Sequence, residues 1–427
     1  MFRKAMVGDG STLNLDFTTM TATADLTARG LTFTRASTTA TYINSSGYVT
    51  TAGTDVARFD HHPTTGAPQG LLVEGTATNL VTYSDLRTTG WSGINATGTN
   101  DNATAPNNTT TATLWTGTSG GLNRAYSAGF SVTSGTTYTI SAWVKKPSSN
   151  AARYAKIDVR SSIEGLIGWP SNGTLDLDTG TISGTGYTVT PYQNGWYRIV
   201  STGTVNSTTT ARMFVRITDA SGGEPTVTTA LLWWGAQAEA GSGASSYIPT
   251  GASQATRNSD ICYITNTDYG FTTTGGTYFV EWERGEYDNP TVSGSDCFPF
   301  STDYASGRWL AIFTSPGGTT TSAASWSGQV NQTSTAVAGR NRAAVSYAGW
   351  NATTTLTLSA NGNSPTSNAS MTLGTTPTYL MIGAASSTAP YNGGGLRDIL
   401  GNRVRRLKYW PFVLPSATLQ SITVNTP

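Results

Sequence analysis

Charge is what this chain has least of. Asp, Glu, Lys and Arg make up 11% of 427 residues, against about 25% in an average soluble protein. A disordered polar chain is highly charged and poor in aromatics, yet aromatics here reach 10%. A helical protein draws on Ala, Glu, Lys, Leu and Arg, and Glu and Lys are few. The formal net charge of +1 excludes the broad basic footprint of a nucleic-acid-binding protein. Cysteine is nearly absent: Cys262 and Cys297 are too few for a disulfide framework and predict two unpaired thiols or one incidental bridge. No run approaches the roughly 18 apolar residues of a membrane span, so no membrane insertion is expected. The opening MFRKAMVGDGST meets Gly and Asp after its basic pair, which is not a secretory pattern. A protein of this kind that works outside its producing cell is expected to leave by lysis or inside an assembly.

What is present is Gly, Thr, Ser and Asn, with 12 Trp and 19 Tyr. Apolar residues alternate with polar ones in short runs. Tyr138, Ile140, Ala142 and Val144 make one such set, and Ala155, Ile157 and Val159 alternate with Lys156, Asp158 and Arg160. Met213, Val215 and Ile217 alternate with Arg212, Phe214 and Arg216, and Tyr278, Val280 and Trp282 with Phe279, Glu281 and Glu283. Turn pairs such as Ser134-Gly135, Asn194-Gly195 and Asn361-Gly362 bound the runs. Period two with frequent glycine turns predicts an all-β fold of antiparallel sandwiches, each strand burying one face. Composition divides the chain into residues 1–75, an extended N-terminal arm with short strands; 76–265, a first sandwich; and 266–427, a second sandwich. The one helical candidate spans Ser416 to Ile422. In Leu231-Leu232-Trp233-Trp234, alternation with Leu232 and Ala236 predicts Trp234 inside and Trp233 against a loop, the arm or a neighbouring chain.

Several segments resemble proteins of tailed-bacteriophage virions. They are Arg58-Phe59-Asp60-His61-His62-Pro63 running on to Glu74, then Thr78-Asn79-Leu80-Val81-Thr82-Tyr83-Ser84, and Asn194-Gly195-Trp196-Tyr197-Arg198. Further on come Trp234-Gly235-Ala236-Gln237-Ala238-Glu239-Ala240-Gly241 and Ser246-Tyr247-Ile248-Pro249-Thr250. The resemblance implies a carbohydrate-binding-module-like jelly roll over 76–265. Gly401 to Pro411, followed by Leu414 to Ile422, resembles the last strand and helix of a concanavalin A-like (laminin G-like) sandwich in the same proteins. Pro415 stands where that family usually has a capping Ser, so Ser416 is expected to cap a shorter helix.

The sharpest catalytic hint is Glu281-x-Glu283-x-x-Glu286, which resembles the carboxylate strand of one concanavalin-fold glycosidase family, whose acid/base and nucleophile stand about 5–5.5 Å apart. Glu283 replaces the central Asp of that pattern, and a solvated strand face is the expected reading, so no enzyme activity is predicted. His61 and His62, the only histidines, have no third ligand at a recognisable spacing. Asp176 and Asp178 are the weak candidate for a calcium ion, the one cofactor considered. Arg403, Arg405, Arg406 and Lys408 are expected on an exposed edge or an inter-subunit salt-bridge face. Glycan binding needs exposed rings beside planar polar groups, and Trp91, Trp115, Trp169, Trp350 and Tyr391 sit in loop-like contexts that offer them.

Together these readings predict a virion protein: a head or tail spike, fibre or decoration subunit. Its arm docks on other virion proteins, and its modules hold bacterial surface polysaccharide. A homotrimer is expected from the resemblance alone. The alternatives are a structural cement protein without ligand and a glycan depolymerase.

Overall fold

The computed structural model describes residues 8–425 except 119–120, 122, 163–164, 171, 224–227, 285–296, 303–309, 315–319, 326–327, 334–339, 351–352, 375, 384, 387–395 and 398–401. The fold is all-β and antiparallel, in two sandwiches, as the period-two runs require. The first sandwich packs a six-stranded sheet, with Thr137–Lys145 and Ala230–Ala240 at its centre, on a seven-stranded sheet centred on Tyr154–Ser161 and Thr209–Thr218. Ile140, Ile157, Val215 and Trp233 are among the residues that fill the space between them.

The second sandwich corrects the expectation of an extended arm. Its eight-stranded sheet places Asn402–Trp410 between Gly276–Arg284 on one side and two N-terminal segments on the other. Leu13–Asp16 pairs with one half of that strand and Pro68–Val73 with the other half. In the opposite sheet, Leu31–Thr34 pairs with Ile261–Thr265. Leu13, Leu15, Phe17, Met20, Leu26, Leu31 and Phe33 are buried in the same core as Val280, Trp282, Leu358 and Leu407. These residues are too few for a core of their own, and they complete one built by the far end of the chain. Burying each large side chain is worth about 1.5–3 kcal/mol.

The first sandwich is therefore an insertion within the second. The chain leaves through Ala77–Asn79 and returns through Ala255–Arg257, and these pair as a two-stranded stem. Ile261–Thr265 already belongs to the second sandwich, so the boundary falls before residue 261 and not after 265. Another N-terminal piece, the hairpin of Ala40–Ile43 and Val49–Ala52, lies against the inserted module. Its Ile43 and Val49 pack with Trp143, Tyr192, Trp196, Trp234 and Tyr247 on the outer side of the six-stranded sheet.

That packing reverses the expected roles of the tryptophan pair. Trp233 is in the sandwich core and Trp234 is under the hairpin. Between Ser141↔Gln237 and Trp143↔Trp234, one strand advances two residues and its partner three. This bulge, with Gly235 at φ +69, shifts the parity, so counting back from Ala236 gives the wrong face. A Cβ at Gly235 would stand 2.5 Å from the Trp143 ring, so both the backbone and the close approach demand glycine. Helices are short. One-turn segments at Thr23–Thr27 and Asn266–Tyr269 lacked any sequence period long enough to reveal them. The terminal helix runs Ser416–Thr423 with Pro415, not Ser416, at its N-cap and no side-chain cap bond. Leu419 anchors it on Phe279 and Trp410.

A buried charge cluster locks the stem to both modules. Arg58, fully buried, donates to Glu74 at 2.5 Å and also pairs with Asp260. Arg35 reaches Asp260 at 2.8 Å and Arg257 reaches Glu74 at 3.1 Å. Ser246 of the insertion donates to Glu74 through both its backbone N–H and its hydroxyl. Burial pushes the Glu74 carboxyl up, but Arg257, Arg58 and Ser246 outweigh it and hold it at about 2. Nearby Glu239 has burial as its dominant influence and is pushed up.

Two outcomes follow from the cluster. Arg58→Met should cost about 3–5 kcal/mol in urea denaturation, because it strands buried carboxylates. The contribution of Glu74 is complete above its ordinary value of 4.5 and is lost as pH falls from there toward 2. Asp9, Asp25, Asp176 and Asp219 are also held down and lose their contributions over the same acidic range, so the difference between the wild type and Glu74→Gln is what reports Glu74. Denaturation midpoints between pH 6 and pH 3 should fall for the wild type and fall less steeply in Glu74→Gln.

Candidate functional site

None of the described ring candidates offers a face to a sugar. Trp91, Trp115 and Trp169 are 2%, 3% and 4% exposed in the core of the inserted module, and Trp350 is 5% exposed in the other core. Trp91 donates from Nε1 to the Tyr83 carbonyl, and Trp169 to the Ser201 hydroxyl. Their small polar neighbours mark the ends of sandwiches, where a large ring plugs the core, so the loop-like context misled. Tyr391 lies outside the described residues.

The carboxylate pattern resolves into ion pairs. Glu281, 2% exposed, is held by Arg342 at 3.1 Å and Arg405 at 3.2 Å; Glu283 is held by Arg405 at 2.8 Å and Arg340 at 3.2 Å. Glu286 lies outside the described residues. Nor do the basic residues of Asn402–Trp410 sit on an edge or wait for another subunit. Their strand is interior, and its cations meet acids of this chain: Arg403 meets Asp60, Arg406 meets Asp16, and Lys408 meets Asp9. A bulge explains the clustering. Glu281↔Arg406 is followed by Trp282↔Val404, so Arg405 is the extra residue, and four cations share one face.

Asp176 and Asp178 do lie together, but Arg153 donates to both oxygens of Asp176 at 2.9 and 2.7 Å, and Lys146 pairs with Asp178. The Arg153 hydrogen bond holds Asp176 at about 2. Cations of the chain thus occupy the positions calcium was expected to take. His61 and His62 face the Ile43 carbonyl and Thr64 respectively. Cys262 is a buried free thiol pushed up by burial, while the side chain of Cys297 lies outside the described residues.

A different face gathers chemistry. On the seven-stranded sheet of the inserted module, Arg124–Ser127, Thr209–Thr218 and Tyr154–Ser161 run side by side. Their inward residues are mainly apolar, and their outward residues include Arg124, Tyr126, Lys156, Asp158, Arg160, Arg212, Phe214 and Arg216. Register aligns them in rows. Lys156, Arg216 and Arg124 face one another in one row, Asp158, Phe214 and Tyr126 in the next, and Arg160 faces Arg212 in the third. These strands carry five cations and one carboxylate. Like charges directly opposite are destabilising, and two of the three rows oppose them.

The neighbours of these cations are aromatic as well as acidic. Asp158 lies 3.2 Å from Arg160 Nε and 3.3 Å from Arg216 Nε. The guanidinium of Arg124 stands 5.3 Å from the Phe214 ring centre, and that of Arg212 stands 4.8 Å from the Tyr126 ring. The Phe214 and Tyr126 centroids are 5.6 Å apart. Burial pushes the Lys156 ammonium down; Asp158 opposes this, and Arg216 and Arg160 add to it. Arg124, Lys156 and Arg216 are nearly buried, whereas Tyr126, Arg160 and Arg212 are half-buried and form the accessible rim. Guanidinium groups withdrawn from water bind planar anions more strongly than solvated ones. The signal for this face was in the sequence: the polar half of the alternations at 155–160 and 212–217 is cationic. Only register could bring Arg124 and Tyr126 beside it.

No protein-family model matches the chain, and no curated protein matches it. Among solved structures it is similar to the Ruminococcus gnavus IT-sialidase CBM40, with 15% identity over 36% of this chain and 84% of that chain, at a TM-score of 0.27. It is also similar to the NanB sialidase from Streptococcus pneumoniae, with 10% identity over 39% of this chain and 27% of that one, at 0.29. The CBM22-1-CBM22-2 tandem domain of Paenibacillus barcinonensis Xyn10C matches 79% of this chain and 98% of its own, with 10% identity and a TM-score of 0.25. Similarities this low carry no argument about function.

Because Glu281 is itself buried and pairs with the partly buried Arg342 and Arg405, Glu281→Gln should destabilise the protein by about 1–3 kcal/mol in urea denaturation. An unchanged midpoint would return this strand to consideration as a hydrolytic site.

Proposed function

We propose that the protein is a displayed component of a tailed-bacteriophage virion that adheres to acidic polysaccharide of the bacterial surface. The contact surface is the cationic face of the inserted jelly roll. The observation that carries the adhesion is the register itself, which brings Lys156, Arg216 and Arg124 into one row and Arg160 and Arg212 into another. Uronate carboxylates match the planar fork of arginine, and the Tyr126 ring at the rim suits the C–H face of a sugar. What supports the virion setting is the likeness of the segments at 58–84, 194–198, 234–250 and 401–411 to virion proteins. With the N-terminal segment built into the second sandwich, docking by an extended arm is not part of this reading. A homotrimer would multiply weak single contacts, since each tethered site meets its ligand at high effective concentration.

One observation favours a purely structural alternative. The quoted motif residues Glu74, Asn79, Gln237, Ser246 and Tyr247 build the joint between modules rather than a ligand surface. Equilibrium binding of the full chain to a uronic-acid capsule polysaccharide, with neutral dextran as control, separates the two. Adhesion predicts retention on the acidic polymer that weakens with added salt, and a loss of at least tenfold in Arg212→Glu without change in melting temperature. Equal retention on both polymers, or indifference to Arg212→Glu, would leave the structural role standing.

A further inference from the structure

We infer a site for a free single-chain fatty carboxylate in the groove between the terminal helix and the outer face of the eight-stranded sheet. It goes beyond the acidic-polysaccharide reading and does not depend on it. The groove holds about 370 Å³, within the roughly 300–1,000 Å³ of small-ligand sites. Its lining divides into an apolar part and a charged part, as an amphiphile requires.

The apolar part comes from two elements. Phe279 and Trp410, both nearly buried, close the bottom of the groove from the sheet. Leu419 holds the helix on those rings. That leaves Thr418 and Ile422, one turn apart, half-buried along the groove, with Leu414 just ahead of the helix. With so little of either ring accessible, no sugar can stack here, whereas aliphatic walls suit an alkyl chain.

The charged part is cationic. Among the described residues, Arg342, Arg406 and Lys408 line the groove against a single acid, Asp9. Asp9 has both oxygens occupied: Oδ1 accepts from the Ser11 backbone N–H at 3.1 Å, and Oδ2 from Lys408 at 2.9 Å. The cations keep donors beyond these pairs. Arg342 spends Nε on Glu281 and Nη1 on the Val424 carbonyl. Arg406, which is exposed, spends Nε on Asp16 at 3.1 Å, and a surface pair of that kind is weak enough to share. Among the described residues Nη2 of each arginine has no hydrogen-bond partner, and two of the three Lys408 N–H groups are left over. Lys408 Nζ also stands 5.8 Å from the Trp410 ring centre, where the apolar and charged parts meet. A carboxylate at that junction gains charge-assisted hydrogen bonds, while its chain lies against Leu414 and Ile422.

The test titrates the full-length protein with octanoate, decanoate and dodecanoate below their micelle concentrations, read by isothermal calorimetry. One saturable site is expected, tightening about tenfold for each two added methylenes and weakening with added salt. Decanol and decyltrimethylammonium should bind at least tenfold more weakly than decanoate. Thr418→Glu places an acid in the groove at a first-turn position that the helix favours; it should weaken dodecanoate at least tenfold, and Arg406→Gln at least threefold, while the melting temperature holds. Arg212→Glu should leave binding unchanged. The site is overturned by saturable binding of none of the carboxylates, by equal binding of the neutral or cationic decyl compound to the wild type, or by binding that survives both groove variants. Binding lost only in Arg212→Glu overturns it too, by assigning the carboxylate to the cationic face. The head-group comparison uses the wild type alone, so it decides the matter even if a variant unfolds.

Discussion

Arg58 and its two carboxylates are the constraint on which the architecture rests. A guanidinium with no solvent access is tolerable only if acids meet it there. Those acids come from either side of the insertion: Glu74 just before the outgoing stem strand, and Asp260 just after the returning one. Arg35 and Arg257 extend the cluster into the N-terminal segment and the stem, and Ser246 ties it to the inserted module. Hydrophobic burial alone would accept several relative placements of two sandwiches. A set of buried charges accepts only the one in which every partner is within reach, because any displacement leaves an ion uncompensated.

Much of the fold was legible because strands with one wet face advertise themselves by alternation. Tyr154–Ser161, Thr209–Thr218 and Gly276–Arg284 all appear where period two placed them. Connectivity was not legible. Leu13–Asp16 and Leu31–Thr34 look like fragments of an arm because their partners are Asn402–Trp410 and Ile261–Thr265, far along the chain. The tryptophan pair failed for a narrower reason, a single bulge residue that inverts parity and leaves only a glycine as its trace.

The candidate site divides in the same way. Arg and Lys at alternate positions of two strands could be read from the sequence, but only as a solvated face. Their meaning depends on a third strand delivering Arg124 and Tyr126 in register, and sequence spacing carries no information about that neighbour. The aromatics followed the opposite course. Tryptophans in Gly- and Ser-rich surroundings look exposed, yet Trp91 and Trp169 are capped by backbone and hydroxyl partners deep in a core. Local composition describes the loop, and the ring answers to whatever lies beneath it.

The nested topology also sets an order of events at the ribosome. Asp9 and its partner Lys408 are separated by 399 positions, which at about 5–20 residues per second is roughly 20–80 s of synthesis. Through that interval Leu13–Asp16 has no strand to join, and in its last part, once the stem strand Ala255–Arg257 has been made, the inserted module already holds both of its sheets. The nascent chain therefore carries an orphaned, aggregation-prone leading end behind a finished domain. Production of this protein in a foreign host should be limited by chaperone capacity and temperature more than by the intrinsic stability of the finished molecule.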